Sequence, residues 1–189
     1  SMMDDCLARG KSVQNGGAVY NFTGPQGFGI ANMADALYAI KTLVYEEKKY
    51  TLNQFADALR NNYGEAMPPV IAAQLTTYAA KELANKGQTP SERVIAEIYS
   101  KISENKTPAD KKAFYDKLRD DIDSLPKFGN DNKEIDLFAR DVAYTYTRPL
   151  QDYKNPRGGI FQAGLYPVSA NVPLGAQTGA TPDGRLAGT

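Results

Sequence analysis

Between residues 46 and 155 the sequence is punctuated as a series of short amphipathic helices, each with its own start and stop. Thr51-Leu52-Asn53-Gln54 is a capping box, a hydroxyl and an amide three residues apart, and opens a helix carrying Phe55 and Leu59. Pro68 and Pro69 suit a first turn, where no amide hydrogen is needed, ahead of Leu75, Tyr78, Ala79 and Leu83; Gly87 suits the stop. Thr89-Pro90-Ser91-Glu92 places an N-cap, a proline at the first helical position and a glutamate at the third before Val94, Ile95, Ile98 and Ile102. Thr107-Pro108-Ala109-Asp110 repeats that order before Phe114, Leu118 and Ile122, with Pro126 as terminator. A last helix is expected from about Asp131 through Ile135, Phe138, Val142 and Tyr146, until Arg148-Pro149 stops it. Upstream, Met33, Leu37, Ile40 and Val44 recur on one helical face. All these stripes are read as core faces rather than cofactor contacts.

The two ends differ from this middle. Residues 1–45 hold six charged side chains and residues 156–189 hold three, leaving 35 of the 44 in between. Seven of the 16 glycines and four of the 11 prolines lie in the last 34 residues. Uncharged glycine- and proline-rich segments are expected to be buried, where backbone passes close to backbone or ligand; a flexible tail is the alternative. Residues 165–169 and, more briefly, 19–22 look like strands. Two such strands, one containing Pro167, do not make a stable sheet by themselves. The chain ends in a turn-rich run with no closing element, so it reads as a piece of something larger. Ser1-Met2 reads as a cloning remnant.

Composition excludes much familiar chemistry. Without histidine there is no Ser-His-Asp triad, Cys-His dyad or imidazole metal ligand. One cysteine allows neither an internal disulfide nor a cysteine-based zinc site. The net charge of +0 argues against nucleic acid and against an anionic membrane surface as partners. No apolar run approaches the roughly 20 residues of a membrane span, and no signal-peptide pattern opens the chain. The default is a soluble cytoplasmic protein.

Short motifs add little chemistry. Gly24-Pro25-Gln26-Gly27-Phe28-Gly29 lies between a strand-like segment and a helix, but Asn32 stands where a dinucleotide loop needs its third glycine. It reads as a turn that lets backbones approach. Gly10-Lys11-Ser12 copies the end of a phosphate loop whose first glycine would fall at Asp5. Asp131-Asn132-Lys133-Glu134 lacks the spacing of a calcium loop and reads as a helix start. Cys6, on an expected polar helical stretch beside Asp4 and Asp5, is a poor nucleophile.

Longer motifs carry a specific resemblance. Residues 16–32, Gly-Gly-Ala-Val-Tyr-Asn-Phe-Thr-Gly-Pro-Gln-Gly-Phe-Gly-Ile-Ala-Asn, resemble the glycyl radical enzymes of the pyruvate formate-lyase-like superfamily. So do Lys127-Phe128-Gly129-Asn130-Asp131, Asn155-Pro156-Arg157-Gly158-Gly159, the run Gly164-Leu165-Tyr166-Pro167-Val168-Ser169 and its continuation to Gly175, and Thr178-Gly179-Ala180-Thr181-Pro182-Asp183-Gly184-Arg185. The extra helical stretch from about Glu65 to Ser124, together with Asn21-Phe22-Thr23-Gly24-Pro25-Gln26, is similar to the coenzyme-B12-independent propane-1,2-diol and glycerol dehydratases.

The resemblance implies a mainly α fragment with a few short strands, part of a ten-stranded α/β barrel in the full-length enzyme. It divides the chain into a core segment at 3–64, a helical insertion at 65–126 and a core segment at 127–189 with a pocket-wall strand and a glycine-rich loop. In such enzymes an iron–sulfur, S-adenosylmethionine-dependent activating enzyme installs a radical on a backbone glycine. The radical passes to a cysteine and then takes hydrogen from C1 of a diol, whose C2 hydroxyl leaves as water. The cysteine loop (Gly-Cys-Val-Glu) belongs before this segment and the glycyl loop (Arg-Val-x-Gly-Tyr) after it; neither occurs in the 189 residues. Cys6 is therefore not the thiyl residue, no catalytic residue is expected here, and the segment binds no cofactor of its own.

What remains is wall and scaffold. Tyr166 matches the pocket tyrosine of the dehydratases, with Pro167 and Val168 beside it; an ordinary core tyrosine is the alternative. Asn21, Thr23 and Gln26 are candidates to bond loops near the site, or to serve as turn residues. The implied partners are a small diol and the activating enzyme, with a homodimeric parent that some relatives house in a bacterial microcompartment. Another glycyl radical lyase (formate acetyltransferase-like or carbon–nitrogen) and a non-catalytic helical interaction module stay open. A fragment of a barrel is expected to expose the apolar surface that meets the rest.

Overall fold

The computed structural model describes residues 3–104 and 107–189; the Ser1-Met2 reading lies outside them. The chain forms two units, residues 35–130 with 169–189, and residues 1–34 with 131–168. It is mainly helical, with two short strands.

In the first unit the helices arise where their caps lie. Helix α1 (Ile30–Ile40), whose first five residues are counted with the second unit, runs into a wide turn, Lys41–Glu46, closed by Glu47 N–H donating to the Thr42 carbonyl at 2.8 Å. Its inward side is not the expected one. Met33 and Leu37 are 54% and 40% exposed, Ile40 and Val44 are half-buried, and Ala39 and Leu43 are buried. Bonds spanning five residues add one residue to a turn, which shifts the phase of residues past Lys41 but not of Met33 and Leu37, which precede it. Helix α2 (Leu52–Arg60) has both halves of its capping box. The Thr51 hydroxyl accepts from Gln54 N–H at 3.2 Å, and the Gln54 side chain accepts from Thr51 N–H at 2.8 Å. Replacing Thr51 by alanine is expected to cost the chain about 1 kcal/mol, read as a lower urea midpoint at unchanged slope.

Helix α3 (Pro69–Asn85) starts on proline and stops at Gly87, left-handed at φ +78°. There Gln88 N–H reaches the Leu83 carbonyl and Gly87 N–H the Ala84 carbonyl, both at 2.9 Å, which satisfies carbonyls the helix end leaves open. Its buried residues are Ile71, Ala72 and Thr76, while Leu75 and Tyr78 of the expected stripe stay exposed. Helix α4 (Glu92–Glu104) begins two residues later than Thr89-Pro90 suggests, with Ile95 N–H bonded to the Ser91 carbonyl at 3.0 Å. It buries no residue fully. Its principal helical neighbour is α3, and contact from one side cannot cover a four-residue stripe. Helix α5 (Ala109–Asp123) behaves as expected: Leu118 and Ile122 are fully buried and Phe114 is half-buried.

The core of this unit joins Leu43, Tyr50, Phe55, Tyr63, Tyr115, Leu118 and Ile122. Tyr50 meets Phe55 and Phe114 edge-on, with ring centroids 6.2 and 5.7 Å apart. Ala180 and Leu186 close over that cluster, and Ala187 joins Met67, Ile71 and Ala72.

In the second unit, helix α6 (Lys133–Thr147) is capped by the Asn132 side chain, which accepts from the amides of Glu134 and Ile135. It buries Ile135, Ala139 and Ala143. Strands β1 (Gln26–Gly27) and β2 (Gly164–Leu165) pair in parallel. The first strand therefore lies in the glycine-rich loop and not at 19–22, and the pair forms despite its shortness. Its ladder reaches beyond the strand ends, and glycine at 27 permits the approach. Cys6 is buried in a series of turns, not on a helix. Asp5 and Gly10 are both left-handed there, which a helix does not allow.

The uncharged C-terminal stretch behaves in two ways. Its last residues from 180 on are seated in the helical unit, whose α7 (Asn171–Gly175) precedes them. Residues 156–179 are mostly exposed, contrary to the expectation of burial, because no described layer covers their apolar side chains. Among the described residues no helix is long and apolar enough to cross a membrane.

Candidate functional site

The candidate site is built on the parallel ribbon of β1 and β2. Thr23 N–H donates to the Ile160 carbonyl at 2.9 Å, Gln162 N–H to Thr23 at 2.9 Å, Gly164 N–H to Pro25 at 3.1 Å and Tyr166 N–H to Gly27 at 3.1 Å. The bridge between Thr23 and Phe161 keeps the register in which Gln26 faces Gly164 and Gly27 faces Leu165. Pro25 fits because the ladder uses its carbonyl and asks no amide of it. Glycine at 27 is required by space. A Cβ there would lie 2.8 Å from the Tyr146 ring and 3.0 Å from Leu165 Cδ2.

Asn155 anchors the start of the ribbon. It is 4% exposed. Its amide nitrogen donates to the Asn21 carbonyl and, at 3.1 Å, to Thr23 Oγ1. Its amide oxygen accepts from Arg157 N–H at 2.9 Å and Gly159 N–H at 3.0 Å. Two donors and two lone pairs are thus all used, which fixes the turn 155–159 against residues 21–23. The Arg157 guanidinium adds bonds to the Phe22 carbonyl and Thr23 Oγ1 at 3.4 and 3.3 Å. Asn21 and Thr23 serve this turn; Asn21 also donates to the Ala18 carbonyl at 2.6 Å. Gln26 lies exposed in β1.

Tyr166 leaves the end of this ladder. Its backbone is tied to Gly27, while its ring folds back over Gly164, where a Cβ would collide with it. The side chain is 55% exposed, so it is a held but uncovered surface and not a core tyrosine of the described structure. Pro167 is exposed and Val168 half-buried beside it. The paired segments themselves are uncharged: no Asp, Glu, Lys or Arg occurs at 12–34 or 158–182, and Arg157 stands at the start of the second. Val19, Tyr20, Phe22, Phe28, Ile160 and Leu165 are exposed on or beside the paired segments. The arrangement can shape an apolar cavity wall and keep water from it.

Asn155 is the main residue that the sequence reading did not single out. Its signal is local, an Asn-Pro-x-Gly-Gly run in which the side chain can bond amides two and four residues on. Tyr146, expected only as a stripe residue of the last helix, has a buried hydroxyl with no hydrogen-bond partner among the described residues.

The groups whose protonation shows a resolved shift lie in the helical unit and are structural. Asp57 accepts from Tyr115 OH at 2.7 Å and lies 3.2 Å from Lys111 Nζ. The Tyr115 bond chiefly holds its carboxyl below the usual range. Asp121, opposed by burial, is held low by Lys49 at 2.6 Å and by Tyr50. Among the described residues no three of His, Cys, Asp or Glu come together as a metal site would require.

The comparisons bear on this geometry. The family model described as pyruvate formate lyase-like matches residues 1–175. A solved structure concerned with 1,2-propanediol dehydration in Roseburia inulinivorans, and with its substrate and enantiomer selectivity, is 56% identical with a TM-score of 0.90; the match covers 98% of this chain and 22% of that one. The glycerol-bound B12-independent glycerol dehydratase of Clostridium butyricum is 36% identical with a TM-score of 0.68, over 100% and 18% of the two chains. The probable dehydratase YbiW of Escherichia coli (strain K12) is 32% identical over 100% of this chain and 18% of its own. Decarboxylases of indoleacetate and 4-hydroxyphenylacetate are similar at 32% and 31% identity. The chain spans about a fifth of the length of the proteins it matches.

Proposed function

Because the chain belongs to the pyruvate formate lyase-like family, we propose that it is the pocket-wall segment of a glycyl radical diol dehydratase, which converts propane-1,2-diol or glycerol to an aldehyde and water. The observation that carries this reading is Tyr166. It is pinned by its backbone at the end of the parallel ladder, with its ring exposed on a segment that carries no charged side chain. The 56% identity to the structure concerned with 1,2-propanediol dehydration supports the substrate class.

In this reading residues 3–64 and 127–189 are core segments and residues 65–126 a helical insertion. The glycyl radical, installed by an S-adenosylmethionine-dependent activating enzyme, would supply hydrogen abstraction. The motifs that carry it are not in this sequence, and no residue here is assigned to it. The residues of this chain contribute shape and dryness. Tyr166, Pro167 and Val168 would line one side of the diol cavity, and the Asn155 turn keeps that wall from shifting. A water-excluding wall protects reactive intermediates from side reactions. Homodimer formation and cytoplasmic residence belong to the same proposal. The decarboxylases among the relatives make another glycyl radical lyase the second reading.

The test uses the full-length enzyme that contains this segment, activated anaerobically and assayed with propane-1,2-diol, glycerol and choline. Aldehyde from a diol is expected, and none from the 189 residues alone. Tyr166→Ala is expected to lower kcat/KM for the diol about 10- to 100-fold, since a small misplacement of substrate has effects of this size; Tyr166→Phe should retain most activity. Turnover of choline without turnover of either diol would overturn the substrate class. A Tyr166→Ala enzyme with unchanged kinetics would overturn the wall.

A further inference from the structure

Residues Asn62, Tyr63 and Gly64 all run left-handed, at φ +48°, +52° and +81°. Glycine adopts this freely and asparagine tolerates it, but tyrosine keeps it only where its surroundings over-determine it. Both side chains are buried, and both reach the C-terminal loop. Asn62 Oδ1 accepts from Ala187 N–H at 2.7 Å while its Nδ2 donates to the Ala66 carbonyl at 2.8 Å. Tyr63 OH donates to the Thr181 carbonyl at 2.9 Å. A right-handed backbone here would swing both groups away from those partners.

Other residues hold the same loop from α5 and the turn after it. Arg119 Nε donates to the Gly184 carbonyl at 3.3 Å, and its guanidinium stacks 5.8 Å from the Tyr63 ring. Lys127 Nζ lies 2.9 Å from the Ile122 carbonyl and 3.4 Å from the Asp183 carbonyl. Gly184 itself, left-handed at φ +93°, sits where a Cβ would come within 3.0 Å of Asp123 Oδ1. Within the loop, Gly184 N–H bonds the Thr181 carbonyl at 3.1 Å and Gly188 N–H the Thr178 carbonyl at 2.9 Å.

We infer that the left-handed turn at 62–64 is a latch that, with Arg119 and Lys127, seats loop 178–188 on the helices of the same unit. The strained backbone and the seated loop hold each other and loosen together. This inference rests on the helical unit alone and is independent of the catalytic reading.

Asn62→Gly is the decisive variant in the 189-residue chain, because glycine keeps the left-handed backbone and removes only the carboxamide. Hydrogen exchange at the Gly184 and Gly188 amides, whose own acceptors remain, is expected to rise about tenfold, the worth of one such hydrogen bond. Tryptic cleavage after Arg185 should accelerate in parallel, while the Leu118 and Ile122 amides keep their protection. Tyr63→Phe should accelerate the same readouts a few-fold, and it decides the matter if the glycine variant does not fold. Unchanged exchange at 184 and 188, or a rise equal to that in α5, would overturn the latch.

Discussion

Replacing Gly159 by alanine is expected to dismantle the ribbon that carries Tyr166. A Cβ at this position would run into the Asn21 backbone carbonyl and lie 3.0 Å from Asn21 Cβ. Backbone cannot rotate aside as a side chain would. The main chain at 159 also binds Asn155 twice, its amide donating to Oδ1 and its carbonyl accepting from Asn155 N–H at 2.8 Å. Relieving the clash therefore pulls on a buried asparagine whose four hydrogen-bonding positions are all in use. Overpacking and unsatisfied buried groups each cost up to roughly 3 kcal/mol, so a local loss of about 3–5 kcal/mol is expected. Gly158 is the control. It is left-handed at φ +86° but faces open space, so Gly158→Ala should cost only about 1–2 kcal/mol. Hydrogen exchange at the amides of Gln162, Gly164 and Tyr166 reads both variants. Equal effects of the two would show that the close approach to Asn21 does not matter.

Alkali is expected to unfold the helical unit steeply. Tyr50, Tyr63 and Tyr115 are nearly or fully buried in one cluster. Burial pushes the Tyr115 phenol up to about 12, with the hydrogen bond to Asp57 adding to it. Burial raises Tyr50 and Tyr63 further, helped by Asp121 and Asp183 respectively. The unfolded chain loses these protons near pH 10 and the folded chain does not. Stability is therefore complete below about pH 10 and falls as the pH rises toward the folded values. Once the unfolded phenols are ionised each tyrosine contributes a slope of about 1.4 kcal/mol per pH unit, so the three together approach about 4 kcal/mol per pH unit between roughly pH 11 and 12. Tyr115→Phe should remove about a third of that slope. Urea midpoints measured against pH test this; a slope no steeper than one tyrosine's would contradict it. On the acid side Asp57 and Asp121, both held low, contribute stability above about pH 4 that disappears as the pH falls through their folded values.

The latch and the Asn155 turn show how unevenly such features could be read from the sequence. Asn155-Pro156-Arg157-Gly158-Gly159 is visible as a turn, because its bonds run to amides two and four residues away. Its clamp on residues 21–23, more than 130 positions distant, is not. The left-handed run at 62–64 has Asn62 and Gly64 as local markers; the tyrosine between them adopts that backbone for a partner at Thr181. The resemblance of its motif singled out Tyr166, but its exposure and its seat over Gly164 were not legible in the sequence.

The sequence by itself determined that this chain would be mainly helical, and roughly where its helices begin and end. The Thr51 capping box, proline at the start of α3 and Gly87 after it satisfy backbone groups within a few residues. Such interactions need no distant partner. Only the tertiary structure decided which side of α1 turns inward, why α4 stays uncovered and which residues pair with β2. Those outcomes depend on which neighbours each helix meets, and on the absence of a Cβ at Gly27 where Tyr146 and Leu165 come close. Burial and strand pairing are set by residues far apart in the chain, and their free energy appears only when the fold brings them together.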